Sequence, residues 1–192
     1  INVLEDVDSA VEIGMKFKEA CKKNEISYIF KASFDKANRT SINSFRGPGF
    51  NKGLEWLSHI RTNLKVPVLT DIHESSQVLK ASKVCDVLQL PAFLARQTDL
   101  IAELARAGKT IHIKKPQFIS PEQIESIINK FSYFGCDDLI LCERGVVFGY
   151  NNLVVDILGI GVMKKVGNNI PISVDITHSL QCRNFGMSCS GG

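Results

Sequence analysis

The sequence predicts an α/β fold of parallel strands arranged as a (β/α)8 barrel, and three observations carry that prediction. Short apolar runs recur six times, each ends abruptly in charged or polar residues, and an amphipathic stretch follows each one. The runs are Tyr28–Phe30, Val66–Leu69, Val87–Leu90, Thr110–Ile113, Leu139–Leu141 and Pro171–Val174. Parallel strands are covered on both faces and read as continuous hydrophobic runs, and polar groups at their C-terminal ends gather at one catalytic mouth. Many strand ends feeding one mouth is the pattern of an enzyme.

The elements follow in order. Ala10, Ile13, Phe17 and Cys21 mark a first helix, and Tyr28–Phe30 then leads to Lys31, Ser33, Asp35 and Lys36. The connection from Phe34 to Asn51 is long and rich in Asn, Arg and Ser, as functional loops at a catalytic face are. Leu54, Leu57 and Leu64 mark the next helix; the second run ends at Asp71 and His73, and the third carries Gln89 before Pro91. Thr98 is placed to cap a helix with Leu100, Ile101, Leu104 and Ala105 inward and Gly108 as its stop. The fourth run ends in Lys114-Lys115, whose side chains alternate faces, with Lys114 taken as the inward one. Ser120-Pro121-Glu122-Gln123 reads as a capping box opening a helix with Ile124, Ile127, Ile128 and Phe131 inward and Gly135 at its end. The fifth run ends at Glu143-Arg144; Leu153–Val166 reads as a core helix; the last run ends at Asp175 and His178.

No linker or shift of composition divides the chain, so residues 1–192 are expected to be a single barrel domain. A spacing of roughly 20 to 40 residues between strand starts fits a barrel better than an open sheet, and no G-x-G-x-x-G follows a strand. A closed barrel typically takes about 250 residues. The expectation is therefore a barrel whose first strand and last βα elements lie outside the 192 residues given.

Composition excludes several classes. With 44% hydrophobic and 22% charged residues the chain is not disordered, and a net charge of +3 does not make a nucleic-acid surface. The apolar stretch Leu153–Val166 is broken by Asp156 and is shorter than the about 20 residues of a membrane span. Six cysteines without a CxxC pair read as reduced thiols of a cytoplasmic protein.

Cations dominate the expected mouth: Lys31, Lys36, Arg39, Arg46, Lys114, Lys115, Arg144 and, after the third run, Arg96. A single lysine or arginine is ordinarily a solvated charge, but strand-end side chains point into a barrel's mouth. Several converging cations call for several anionic groups, such as phosphates and a carboxylate on the substrates.

The longer motifs are specific. Lys31-Ala32-Ser33-Phe34-Asp35-Lys36-Ala37-Asn38-Arg39-Thr40 with Phe45-Arg46-Gly47-Pro48-Gly49, Gln89 to Asp99, Lys114-Lys115-Pro116-Gln117-Phe118, Cys142-Glu143-Arg144-Gly145, Phe148 to Leu153 and Asp175-Ile176-Thr177-His178 span essentially the whole chain. Together they resemble the 3-deoxy-D-manno-octulosonate-8-phosphate synthase (2-dehydro-3-deoxyphosphooctonate aldolase) family. That resemblance implies a (β/α)8 barrel, a cytoplasmic homotetramer, and a transferase of lipopolysaccharide precursor synthesis. The reaction it implies condenses phosphoenolpyruvate with D-arabinose 5-phosphate and releases phosphate.

The resemblance also implies roles. Lys114 and Arg144 hold the phosphoenolpyruvate phosphate; Lys31 and Ser33 face its carboxylate; Lys36 polarises the sugar aldehyde. Asn38 contacts sugar hydroxyls, Arg39 and Thr40 take the sugar phosphate, and Arg96 reaches in from a neighbouring subunit. Position 40 is usually serine in that family, and threonine keeps the hydroxyl. Asp71, Gln89 and His178 line the region of the water and the reacting carbon. A metal-dependent branch places a cysteine ligand where this chain has Asn2, and an amide oxygen is a poor substitute for a thiolate at a soft metal site. The expectation is a metal-independent enzyme without cofactor, with Asn2 counted beside Lys36, Asp71 and His178 among the catalytic residues.

Three other readings compete. A 3-deoxy-D-arabino-heptulosonate-7-phosphate synthase would use erythrose 4-phosphate, but carries a Lys-Pro-Arg-Thr-like segment where this chain has Asn38-Arg39-Thr40. A Schiff-base aldolase would use Lys31 or Lys114 covalently. An inactive sugar-phosphate-binding barrel would not need so complete a set of polar residues.

Overall fold

Where leucine, valine and isoleucine run together, both faces of the strand are covered. In the computed structural model, which describes residues 1–150 and 152–181, all four residues of β2 (Val68–Asp71) and of β3 (Val87–Leu90) are buried. With β1 (Phe30–Lys31), β4 (Thr110–Lys114), β5 (Leu139–Glu143) and β8 (Ile172–Val174) they form a six-stranded sheet in the order β1-β2-β3-β4-β5-β8. Every pairing in it is parallel. A parallel bridge between Val3 and Ser33 adds a short N-terminal rung beside β1.

Each strand lies next to the one before it in the sheet, so successive right-handed crossovers step in one direction and place the helices on one face. There Phe30, Val68, Leu88, Leu90, Ile111, Ile113, Leu139 and Leu141 pack against Leu54, Leu57, Ile60 and Leu64 of α2 (Phe50–Leu64). Leu100, Ile101 and Leu104 of α4 (Thr98–Arg106) and Ile124, Ile127 and Phe131 of α5 (Ile124–Tyr133) complete the layer.

The other face is concave. His112 on β4 reaches Ser173 on β8 at 2.8 Å although β5 lies between them. In a flat sheet those strands would be about 9.6 Å apart with side chains standing upright, and the two groups would not meet. The expected parallel α/β architecture is present as a curled half-barrel.

Several local expectations change. α1 (Val7–Lys23) is capped by Asp6, whose carboxylate accepts from Ser9 N at 2.8 Å. Its buried side is Ala10 and Gly14, which presses onto Leu64, whereas Ile13 and Phe17 are 41% and 58% exposed. The apolar stripe read in the sequence is thus partly a surface. Thr98 does not cap α4; Gln97 precedes the helix without a side-chain cap, and the Thr98 hydroxyl accepts from Lys130 Nζ. Only half of the capping box at Ser120 forms, with Ser120 N donating to Gln123 Oε1. Successive bonds from Gln123, Ile124, Glu125 and Ser126 to the residue three before make that entry a tight turn, so the helix proper starts at Ile124.

Leu153–Val166 is also divided. A hairpin of β6 (Val146–Phe148) and β7 (Asn152–Val154) comes first, and α6 (Ile157–Val166) follows a cap in which Asp156 accepts from Leu158 N. A short helix α3 (Val78–Ser82) between β2 and β3 was not foreseen. Gly108 and Gly135 end α4 and α5 with φ of +62° and +81°, as the spacing predicted. Cys21, Cys85, Cys136 and Cys142 are free thiols; Cys182 and Cys189 lie outside the described residues. Among the described residues no helix is long and apolar enough to cross a membrane.

Candidate active site

The strand ends on the concave face carry polar side chains because alternation leaves them no helix layer to pack against. Lys31 closes β1, and two residues on the same alternation brings Ser33 beside it. The Ser33 hydroxyl accepts from Lys31 Nζ at 3.0 Å and from Lys36 Nζ at 2.9 Å, so one oxygen ties two ammonium groups together. Asp71, 6% exposed at the end of β2, lies 3.7 Å from Lys31 Nζ and 3.1 Å from His73 Nε2. Burial pushes the Asp71 carboxyl up, but Lys31, His73 and Lys36 outweigh it and hold the group well below the usual carboxylate range. Asp71 is therefore an anion in neutral solution. Burial and then Lys31 push the Lys36 ammonium down to about 8, with Arg39 and Lys114 adding to the shift and Asp71 opposing it.

Across the middle of the sheet, Gln89 on β3, His112 on β4 and Ser173 on β8 form a chain, with His112 Nδ1 3.1 Å from Gln89 Oε1. Above it Lys114 Nζ pairs with Asp175 Oδ2, and His178 Nδ1 lies 2.8 Å from the same oxygen. Asp175 Oδ1 accepts from Thr177 N, Thr177 Oγ1 and His178 N at 3.1, 2.8 and 3.0 Å. Burial raises the Asp175 carboxyl, and His178 and Lys114 reverse that and hold it well below its ordinary value. The tandem lysines split as alternation requires: Lys115 is wholly buried on the opposite side, 3.7 Å from Glu143 Oε2. Glu143 Oε1 in turn accepts from Arg144 N at 2.9 Å and Gly145 N at 2.6 Å, fixing the turn that presents Arg144.

The structure thus brings together Lys31, Ser33, Lys36, Asp71, Gln89, Lys114 and His178, with Arg39 close enough to Lys36 to shift it. Arg144 is 7% exposed at the end of β5. The loop after β1 is closed by a two-toothed fork from Arg46 to Asp35 and by Lys36 N donating to Arg46 O at 2.7 Å. Asn38 and Thr40 are exposed on that loop, and Arg39 N turns back onto Lys36 O at 3.2 Å. Asn2 is exposed just before the Val3 rung. Arg96 is exposed on the turn before α4, where its carbonyl accepts from Lys130 Nζ.

From the sequence alone, His73 and His112 had no partners in the site. Strand alternation was the usable signal: His73 lies two residues after Asp71 and His112 two before Lys114. Among the described residues no three His, Cys, Asp or Glu side chains converge as a metal cage.

A concave, cation-rich floor with two ionised carboxylates can bind a polyanion and order water beside it. The sequence model of the DAHP synthetase I family matches residues 1–189. A protein named 2-dehydro-3-deoxyphosphooctonate aldolase from Parasynechococcus marenigrum (strain WH8102) is 53% identical over 192 residues, all of this chain and 68% of the relative. Proteins of the same name from Chromobacterium violaceum and Janthinobacterium sp. (strain Marseille) are 53% and 55% identical over the same coverage. The chain belongs to the 2-dehydro-3-deoxyphosphooctonate aldolase family. The family match runs through every residue of the cluster, from Lys31 to His178.

Proposed function

We propose that the chain catalyses the reaction of phosphoenolpyruvate, D-arabinose 5-phosphate and water to 3-deoxy-D-manno-octulosonate 8-phosphate and inorganic phosphate, a step toward lipopolysaccharide. The observation that carries this reading is the lysine cluster. Lys31 and Lys36 share Ser33, and Lys114 stands against Asp175 on the same concave face, in a chain of this family.

Phosphoenolpyruvate brings a phosphate for Lys114 and Arg144 and a carboxylate for Lys31 and Ser33. Charge-assisted bonds of this kind are about twice as strong as neutral ones. Binding the phosphate asks Lys114 to exchange its Asp175 partner, wholly or in part, for the substrate. C3 of the enol attacks the sugar aldehyde carbon, and Lys36 polarises the aldehyde oxygen and gives it a proton. Water adds at C2, where positive charge develops, and returns one proton to Lys36; the C2–O bond to phosphate then breaks, the hydroxyl left on C2 becomes the ketone, and its proton leaves with the inorganic phosphate. Asp71, Gln89 and His178 orient that water, and Asp71, held as a carboxylate, supplies the stabilising negative charge. Asn38, Arg39 and Thr40 take the sugar and its phosphate.

The same reading closes the curled sheet into a (β/α)8 barrel and assembles a cytoplasmic homotetramer in which Arg96 serves a neighbour's site; its exposure leaves it available for that. It makes the enzyme metal-independent, supported by the carboxamide of Asn2 where a metal site would want a thiolate.

Phosphate release from phosphoenolpyruvate and arabinose 5-phosphate, before and after exhaustive chelation, tests the activity, the sugar and the metal independence. Release that survives chelation is expected. Release lost on chelation and restored by a divalent ion would overturn the metal-independent reading alone. Release with erythrose 4-phosphate instead of arabinose 5-phosphate would overturn the substrate.

A further inference from the structure

We propose that His112 is a positioning residue that holds the Gln89 carboxamide in one orientation, carbonyl toward the imidazole and NH2 toward the substrate space. The inference rests on Gln89 lining that space, as in the function proposed above, and concerns what aims it.

The hydrogen-bond geometry points to that orientation. His112 Nδ1 lies 3.1 Å from Gln89 Oε1, and an amide oxygen has no proton to give, so Nδ1 carries the hydrogen. The ring is neutral: burial, then Lys114 and Lys31, push it down to about 4 against the single opposing influence of Asp175. A neutral imidazole has one N–H, so Nε2 is an acceptor and takes the Ser173 hydroxyl proton at 2.8 Å. That contact is shorter than the 3.2 Å from Ser173 Oγ to Leu141 O, the competing acceptor.

In this tautomer the three groups form a directed chain, Ser173 to His112 to Gln89; the other tautomer would send the Ser173 proton to Leu141 O and reverse it. With its oxygen committed to Nδ1, the carboxamide presents two N–H donors to the other side. Donors suit a site that receives a phosphate and a carboxylate; a carbonyl pointed there would repel both. A glutamine alone rotates its amide freely, and the cross-strand imidazole removes that freedom.

The direct test is the tautomer. In ligand-free protein labelled with 15N-histidine, His112 is expected to show a protonated Nδ1 and an unprotonated Nε2, unchanged between pH 5 and 9 as a residue titrating near 4 requires. An Nε2–H tautomer, or a ring titrating near the ordinary value of about 6.5, would overturn the proposal whatever the substrate proves to be. The kinetic arm compares His112→Leu, Gln89→Ala and the double variant. His112→Leu should lower kcat/KM by about tenfold to a hundredfold, yet add nothing in the Gln89→Ala background. His112→Asn, which keeps a donor on the Gln89 side, should recover most of the loss. Losses that simply add, or no recovery with asparagine, would mean that His112 acts by some route other than Gln89.

Discussion

Removing either half of the Lys115–Glu143 pair should destabilise the protein, and the cost of removing Glu143 should depend on pH. Lys115 has no exposed surface and Glu143 only 2%, and their charged atoms lie 3.7 Å apart. At an effective dielectric near 20 that separation gives an attraction of about 4 kcal/mol, offset largely by the cost of drying both ions. Loss of one partner from such a pair costs about 3–5 kcal/mol. The two losses differ because the partners left behind differ. Glu143 without Lys115 keeps the N–H groups of Arg144 and Gly145. Lys115 without Glu143 has no hydrogen-bond partner for Nζ among the described residues, and burial already pushes its ammonium down.

In Glu143→Gln the stranded lysine escapes by shedding its proton. That limits the cost at pH 7 to about 5 kcal/mol, the free energy of neutralising an ordinary lysine at 1.36 kcal/mol per unit. A lysine whose folded value is depressed carries its penalty below that value and is relieved as pH rises toward 10.5. The cost of Glu143→Gln should therefore shrink as pH rises from 7 toward 10.5, by at most about 1.4 kcal/mol per unit. Lys115→Met should cost about 3 kcal/mol at pH 7. Urea unfolding of both variants and of the double variant at pH 6, 7 and 9 measures all three. A pH-independent cost for Glu143→Gln, or a coupling between the two sites under about 0.5 kcal/mol, would refute the reasoning.

Three further outcomes follow from the site. Lys114→Ala should raise KM for phosphoenolpyruvate at least tenfold, whereas Arg39→Ala should act mainly on KM for the sugar phosphate; steady-state kinetics with each substrate varied separates them, and unchanged constants in either variant remove that assignment. Lys36, pushed down to about 8, loses its proton as pH rises through that value, so kcat/KM should fall on the alkaline side from about pH 8. In Lys36→Arg, which stays charged, that limb should vanish even if the rate is lower. Gly47→Ala places a Cβ 2.4 Å from Phe34 O at φ +126°, so it should cost about 1–3 kcal/mol in thermal or urea unfolding and loosen the Arg39 loop.

What the sequence discloses about this fold depends on whether the physics is periodic. Strands of a sheet covered on both faces must be apolar throughout, so β2 and β3 stand out as plain runs, and their polar ends must point into one mouth. Lys31, Asp71, Lys114 and His178 were legible for that reason alone. Alternation also separated Lys114 from Lys115, but it says nothing of what covers the far face; a second lysine beside the site reads as solvated until Glu143 is seen within 3.7 Å of it. Periodicity likewise reports an apolar face without its partner, which is why Ile13 and Phe17 of α1 were read as core and are exposed. Composition alone merged β7 with α6 into one helix, although Asp156, capping Leu158 N, marks the division. Asn38 and Thr40 lie on an irregular loop and Arg96 on an exposed turn, where no period fixes direction, so their roles rest on family resemblance and are the ones most in need of the substrate-by-substrate kinetics above. His112 sits between these extremes: a residue two before an inward lysine shares its face by geometry, and only the curl of the sheet, which brings Ser173 across β5, turns that position into a contact with consequences for Gln89.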